Sequence, residues 1–228
     1  EVMDQKIPFT SYDFWAYLSA GFLLLFALDS VASTRLLMRD SWTVVQGVIA
    51  MSLAYAIGQL VAGASSFLFE QLLVGKLLGW PRNVLFGQAN AWRWVRWCIP
   101  SYFEPLPAAT QIAALEKGGM AVVDIPGEAL FWSAFNNARG TASVLSRLND
   151  FLNLYGFCRN IALVAFIDAV IFYWSYLQPN GPTEHLLWSR IALVVGIGMI
   201  LRYLKFFRHY AVEVFTAYAY STLSEKKP

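Results

Sequence analysis

"VVQGVIAMSLAYAIGQLVAGASSFLF", residues 44–69, lies inside a charge-free run bounded by Asp40 and Glu70. A helix rising 1.5 Å per residue crosses the roughly 30 Å hydrocarbon layer of a bilayer in about 20 residues. This stretch is therefore long enough to span. Composition supports that reading for the whole chain: of 228 residues, 57% are hydrophobic and 14% charged, with a mean hydropathy of +0.48. A soluble domain carries about one quarter charged residues, so this chain lacks the polar residues to coat a globule. Within lipid only helices and closed barrels satisfy their own backbone groups. A barrel needs repeated short alternating strands, and the runs here are long and continuous.

Working outward from residues 44–69, three further segments have spanning character, near 14–36, 160–177 and 186–207. The third contains only Asp168 between Arg159 and Glu184, and the fourth is bracketed by Arg190 and Arg202. The expected fold is an all-α integral membrane protein with four transmembrane helices and a long, partly helical cytoplasmic loop between helices 2 and 3. In chain order, residues 1–79 form an N-terminal transmembrane hairpin and 80–159 a cytoplasmic or interfacial loop. Residues 160–228 then form a C-terminal hairpin with a helical tail.

Orientation follows from the accumulation of Lys and Arg in loops that stay inside. Between spans two and three lie Lys76, Arg82, Arg93, Arg96, Lys117, Arg139, Arg147 and Arg159, and the C-terminal end adds Arg202, Lys205, Arg208, Lys226 and Lys227. The connection "QPNGPTEH", residues 178–185, has none. Both termini and the middle segment are expected in the cytoplasm and the chain in the inner membrane, against which stand Arg35 and Arg39 in the first connection. The first apolar segment has neither a basic leader nor a small-residue cleavage site, so it is expected to remain in the mature protein.

The middle segment, about 90 residues long, exceeds what a plain connector needs and should carry structure of its own. A helical extension of span two should break at Pro81 and be followed by an interfacial helix. Prolines and glycines between Pro100 and Gly127 divide the next stretch into short pieces. Over 128–157 a helical pattern resumes, with Phe131, Phe135, Ala138, Ala142, Leu145, Leu148, Leu152 and Tyr155 recurring every three or four residues. Such an amphipathic helix must cover a sister helix or the membrane surface. Its polar side and the residues after it, Arg139, Arg147, Asn149, Asn153 and Arg159, form the expected docking face for a soluble protein. Gly156 permits a bend before span three.

"AWRWVRWCIP", residues 91–100, sets Trp92, Trp94 and Trp97 around Arg93 and Arg96. On neither a helix nor a strand do the three indoles share a clean face. A membrane border demands less strict periodicity, since indoles sit at headgroup level while Arg reaches phosphates. These five residues and Trp80 are therefore read as interfacial anchors, and a base-stacking groove is disfavoured. No nucleic-acid binding is expected.

Ionisable groups at membrane depth are costly and mark function or pairing. Depth along antiparallel spans brings Asp168 level with Arg202 and Asp29 level with Arg190. Two acid–base ties are expected from these matches. In span two, Ala54, Gly58 and Ala62 recur every four residues with Gly63 adjacent, a small-residue face suited to close helix approach within the chain or between subunits.

Catalytic signatures are missing from the sequence: there is no phosphate loop, HExxH or GxSxG. His185 and His209 are distant, and Cys98 and Cys158 lack metal-ligand spacing. No cofactor or metal is expected. Arg202 and His209, in "RYLKFFRH", resemble the R-x4-6-H motif of HEPN ribonucleases over two residues only, and the resemblance would imply RNA cleavage. The same helix end carries Lys205 and Arg208, for which phosphate anchoring is the plainer reading. The sequence therefore points to a non-enzymatic, oligomeric inner-membrane sensor or effector subunit that couples a membrane event to a soluble cytoplasmic partner, as in prokaryotic stress or antiviral defence systems. A channel or permeabilising effector, and a membrane-embedded enzyme or transporter subunit, are the alternatives.

Overall fold

The computed structural model describes residues 11–34, 36–37, 39, 41–88, 91–119 and 126–224, and among them every regular element is a helix. In order these are α1 (Ser11–Ala32), α2 (Val44–Ser65), a π-helical segment (Ser66–Leu78), α3 (Pro81–Val84), α4 (Arg93–Cys98), a 3-10 turn (Pro100–Tyr102), α5 (Ala108–Gly118), α6 (Pro126–Arg139), α7 (Ala142–Tyr176) and α8 (Thr183–Ser224). Three helical stretches are long and apolar enough to cross a membrane, Val44–Val84, Ala142–Tyr176 and Thr183–Ser221, while Ala16–Ala32 is a shorter apolar helix. Arg35, Asp40, Lys226 and Lys227, which entered the topology reading, lie outside the described residues.

Local chemistry explains where these helices begin and end. The Thr43 hydroxyl accepts from the Gln46 amide at 3.3 Å, and the Gln46 side chain accepts from the Thr43 amide at 3.1 Å. This reciprocal cap satisfies two otherwise orphaned donors without using a charge. At the far end, Gly79 takes a positive φ of 86° and its N–H donates to the Val74 carbonyl at 2.8 Å. Trp80 follows, and Pro81 opens α3 at a position where its missing N–H costs nothing. The break expected at Pro81 falls there.

The amphipathic helix expected over 128–157 is instead two helices. Gly140, a poor helix former, turns back on the Asn137 carbonyl at 3.0 Å, and the Thr141 carbonyl then accepts from Leu145 at 2.9 Å to start α7. This interruption resets the helical phase. Leu130, Ala134 and Ala138 are buried on α6, then Val144 and Leu148 on α7, whereas Leu152 is 44% exposed. At Gly156 no break occurs, and α7 continues through it.

The helices gather into two compact units that are each discontinuous in the chain, Glu1–Phe67 with Gly156–Arg202, and Leu68–Tyr155 with Tyr203–Pro228. Both α7 and α8 supply residues to both units. In the first unit α1 and α2 meet backbone to backbone. A Cβ on Gly21 would lie 1.7 Å from the Ala54 carbonyl oxygen, and one on Gly58 would lie 1.9 Å from that of Tyr17. Ala54 and Gly58 therefore spend their small-residue face on α1. Gly63 has open space where a side chain would go.

The second unit has its own apolar core. Leu85, Leu130, Ala134, Leu148, Val214 and Phe215 are central to it. Phe86 and Phe131 meet the Phe215 ring edge-on at centroid distances of 5.1 and 6.0 Å. Full burial of a Phe contributes about 1.5–3 kcal/mol, so Phe215, with no exposed surface, is a principal contributor. The amphipathic faces of α6 and early α7 thus cover a sister helix, the C-terminal part of α8.

Tyr102, 2% exposed, fixes the end of the π-helical segment by donating its hydroxyl to the Gly79 carbonyl at 2.8 Å. Burial pushes its phenol above the ordinary range. A folded-state pKa above the unfolded value of about 10 gives stabilisation that is present below pH 10 and lost as pH rises past it. Tyr102→Phe is expected to cost about 1 kcal/mol at neutral pH through the lost hydrogen bond. It should also flatten the alkaline decline. Thermal melts of the detergent-solubilised chain on either side of that pH check both effects.

Candidate functional site

Polar residues buried within the first unit form the first candidate. The Ser65 hydroxyl donates to Asn160 Oδ1 at 2.7 Å and accepts from Arg159 Nε at 3.1 Å. Ser65 is fully buried and Asn160 is 2% exposed. The three side chains tie α2 to α7 with neutral and charge-assisted hydrogen bonds, so each buried polar group gains a partner. Arg159 is thereby held against α2 and leaves the docking set to which its charge had assigned it.

The two expected acid–base ties are not brought together. Asp29 accepts from the Thr34 hydroxyl and from the amides of Leu36 and Leu37 at 2.8 and 2.9 Å, while Arg190 is exposed. Backbone donors a few residues away satisfy the carboxylate without recruiting an arginine from another helix. Arg202 reaches the Cys158 thiol. Asp168 is 7% exposed, and its Oδ1 is buried with no hydrogen-bond partner among the described residues. Toward the end of the α7–α8 hairpin, His185 Nδ1 lies 2.9 Å from Ser175 Oγ, and Ser189 donates to the Ala169 carbonyl at 2.8 Å.

The second unit contains a polar cleft of about 510 Å³ beside the α6–α7 break, lined among others by Asn137, Thr141, Arg147, Glu213, Thr216 and Tyr220. Arg147 holds Glu213 Oε1 through Nε at 2.8 Å and Nη2 at 2.7 Å. Because the arginine side chain is 57% exposed, this pair contributes at most about 1 kcal/mol. Lys117 braces the neighbouring segment, donating to the Tyr218 carbonyl at 2.9 Å and to the Ser221 hydroxyl. Hydroxyls, an amide and one ion pair equip the cleft to hydrogen-bond a polar peptide or small molecule.

The remaining docking residues and anchors differ in their exposure. Arg139 is exposed, with its guanidinium 5.5 Å from the Phe135 ring centroid; Asn149 is exposed and Asn153 half-buried. Trp92, Trp94 and Trp97 are 69%, 62% and 84% exposed, and Arg93 and Arg96 are exposed beside them. Trp80 differs from these three. Its ring packs edge-on against Phe207 at 6.2 Å, and the Arg82 guanidinium lies 5.1 Å from its centroid. The Trp80 side chain is thus occupied by packing inside its unit.

His209 Nδ1 lies 2.7 Å from the Lys205 carbonyl, a local helix contact with no nucleophile attached. Among the described residues no three His, Cys, Asp or Glu side chains converge as a metal site would require. Sequence reasoning overlooked Ser65 and the Thr141, Thr216 and Tyr220 hydroxyls. The uncharged polar residues within apolar runs were the signal for Ser65, but nothing local connects residues 137–147 to 213–221. No protein-family model, curated protein or solved structure matches this chain.

Proposed function

We propose that this chain is a non-enzymatic subunit of an oligomeric inner-membrane assembly, a sensor or effector that couples a membrane event to a soluble cytoplasmic partner. The observation that carries this reading is the continuity of α7 and α8, each of which supplies both an apolar stretch of spanning length and part of a separately cored helical unit. In this reading α1 is the fourth span, since its 22 residues extend about 33 Å. Both termini lie in the cytoplasm and α4 sits at the membrane border. The polar cleft with Arg139 and Asn149 forms the docking face. A stress or antiviral defence system is the setting in which such a coupling subunit would act.

A second reading, a channel or permeabilising effector, is favoured by one observation, the unpartnered Asp168 carboxyl in an apolar helix. Two measurements test the membrane placement that both readings share, and two more separate them. Alkaline carbonate should leave the chain in the membrane, and an impermeant maleimide should label the exposed Cys98 only from the cytoplasmic side. On expression, a coupling subunit leaves the membrane potential intact, and Arg139→Glu with Asn149→Glu releases its copurifying partner. Depolarisation that disappears in Asp168→Asn would transfer the conclusion to the channel.

A further inference from the structure

The α1–α2 hairpin carries a feature that coupling to a soluble partner does not use. Close backbone approach at Gly21–Ala54 and Tyr17–Gly58 pins the two helices together. Nearer the connection between them, two apolar grooves open, of about 370 and 760 Å³. Leu37, Trp42 and Ala50 line both grooves. Leu37 is set in place because the buried Asp29 carboxylate receives its amide and that of Leu36. The first groove presents Leu25, Leu28, Ile49 and Leu53, with Asp29, Thr34, Arg39 and Gln46 as its polar additions; the second presents Phe22, Phe26 and Met51.

We propose that this pair of grooves holds one diacyl phospholipid, an acyl chain in each, straddling Leu37 and Trp42, with its phosphate at Arg39. Three features favour this occupant. Paired apolar channels sharing a divider match two chains leaving one glycerol. The exposed Arg39 beside them complements a phosphate, and Trp42 has the amphipathic ring that settles at headgroup level. The Asp29 oxygens are bonded by Thr34, Leu36 and Leu37, and its charge also faces Arg39, so a phosphate would share that arginine with a carboxylate whose hydrogen bonds are already made within the connection. The lipid would be a resident of the site, retained when the surrounding bilayer is removed.

The inference rests on the hairpin lying in the membrane. The test reconstitutes the full chain in vesicles of phosphatidylethanolamine and phosphatidylglycerol, extracts it into mild detergent, and counts bound phospholipid by native mass spectrometry. The wild-type chain should keep one phospholipid. Ala50→Phe, which projects a ring from the wall common to both grooves, should reduce retention by about tenfold, equivalent to 1.4 kcal/mol. Arg39→Gln should reduce it severalfold without altering the melt, which guards against misfolding of the bulkier variant. Equal retention in all three proteins, or a lipid-free wild type whose grooves are closed by a second copy, overturns the proposal. Release of the wild-type chain by alkaline carbonate would instead defeat the membrane reading beneath it.

Discussion

Valine at position 58 is expected to prevent α1 and α2 from closing, with a loss of at least about 3 kcal/mol. The added carbon would overlap the Tyr17 carbonyl oxygen at 1.9 Å. The obstacle is backbone and cannot rotate away, so the helices must part. Gly63→Val provides the contrast, because open space surrounds that position. Its stability should change by no more than about 0.5 kcal/mol. Fluorescence-detected gel filtration after a temperature series distinguishes the two variants. A Gly58→Val protein that melts with wild type would show that the backbone contact is absent. The same result would return the Ala54–Gly58 face to the surfaces open to a subunit interface, where Gly63 now stands.

Asp168→Leu should act in the opposite direction and stabilise the detergent-solubilised chain by about 1–3 kcal/mol. The carboxylate Oδ1 is buried without a partner, so its removal relieves a desolvation cost and breaks no bond. Had Asp168 been tied to Arg202, the same change would destabilise, because it would strand an arginine. The sign of the melting shift is therefore decisive. A more stable protein that has also lost a membrane activity would identify Asp168 as a residue kept at a cost for function.

Helix type and extent were largely legible in the sequence. The charge-free run beginning at Val44 coincides with the start of α2, where Thr43 and Gln46 form their cap, and the interruption before Pro81 was announced by the proline itself. The ties between helices were not legible. Matching charges by depth selected Asp29 with Arg190 and Asp168 with Arg202, yet depth carries no information on helix rotation. Nor does it count backbone donors, and Asp29 found two of those in its own connection. Neutral residues supplied the α2–α7 tie through Ser65 and Asn160, where a search confined to charges could not find it. Periodicity over 128–157 was read as one helix because a single Gly140 scarcely disturbs an apolar pattern, although it costs about 1 kcal/mol in a helix interior. The polar cleft was invisible for another reason: its walls come from segments about 70 residues apart in the chain.

That separation also bears on biosynthesis. Val214, Phe215 and Tyr218 complete the apolar core begun by Leu85, Leu130 and Leu148, and the ribosome makes them after Val44–Val84 and Ala142–Tyr176, two of the three stretches long and apolar enough to cross a membrane. Until they emerge, α6 and early α7 hold sticky faces with no cover, the kind of exposure that invites aggregation or chaperone capture. Chains stalled before the C-terminal part of α8 should consequently be cleared by proteolysis, because the core that shields α6 and early α7 cannot close without it.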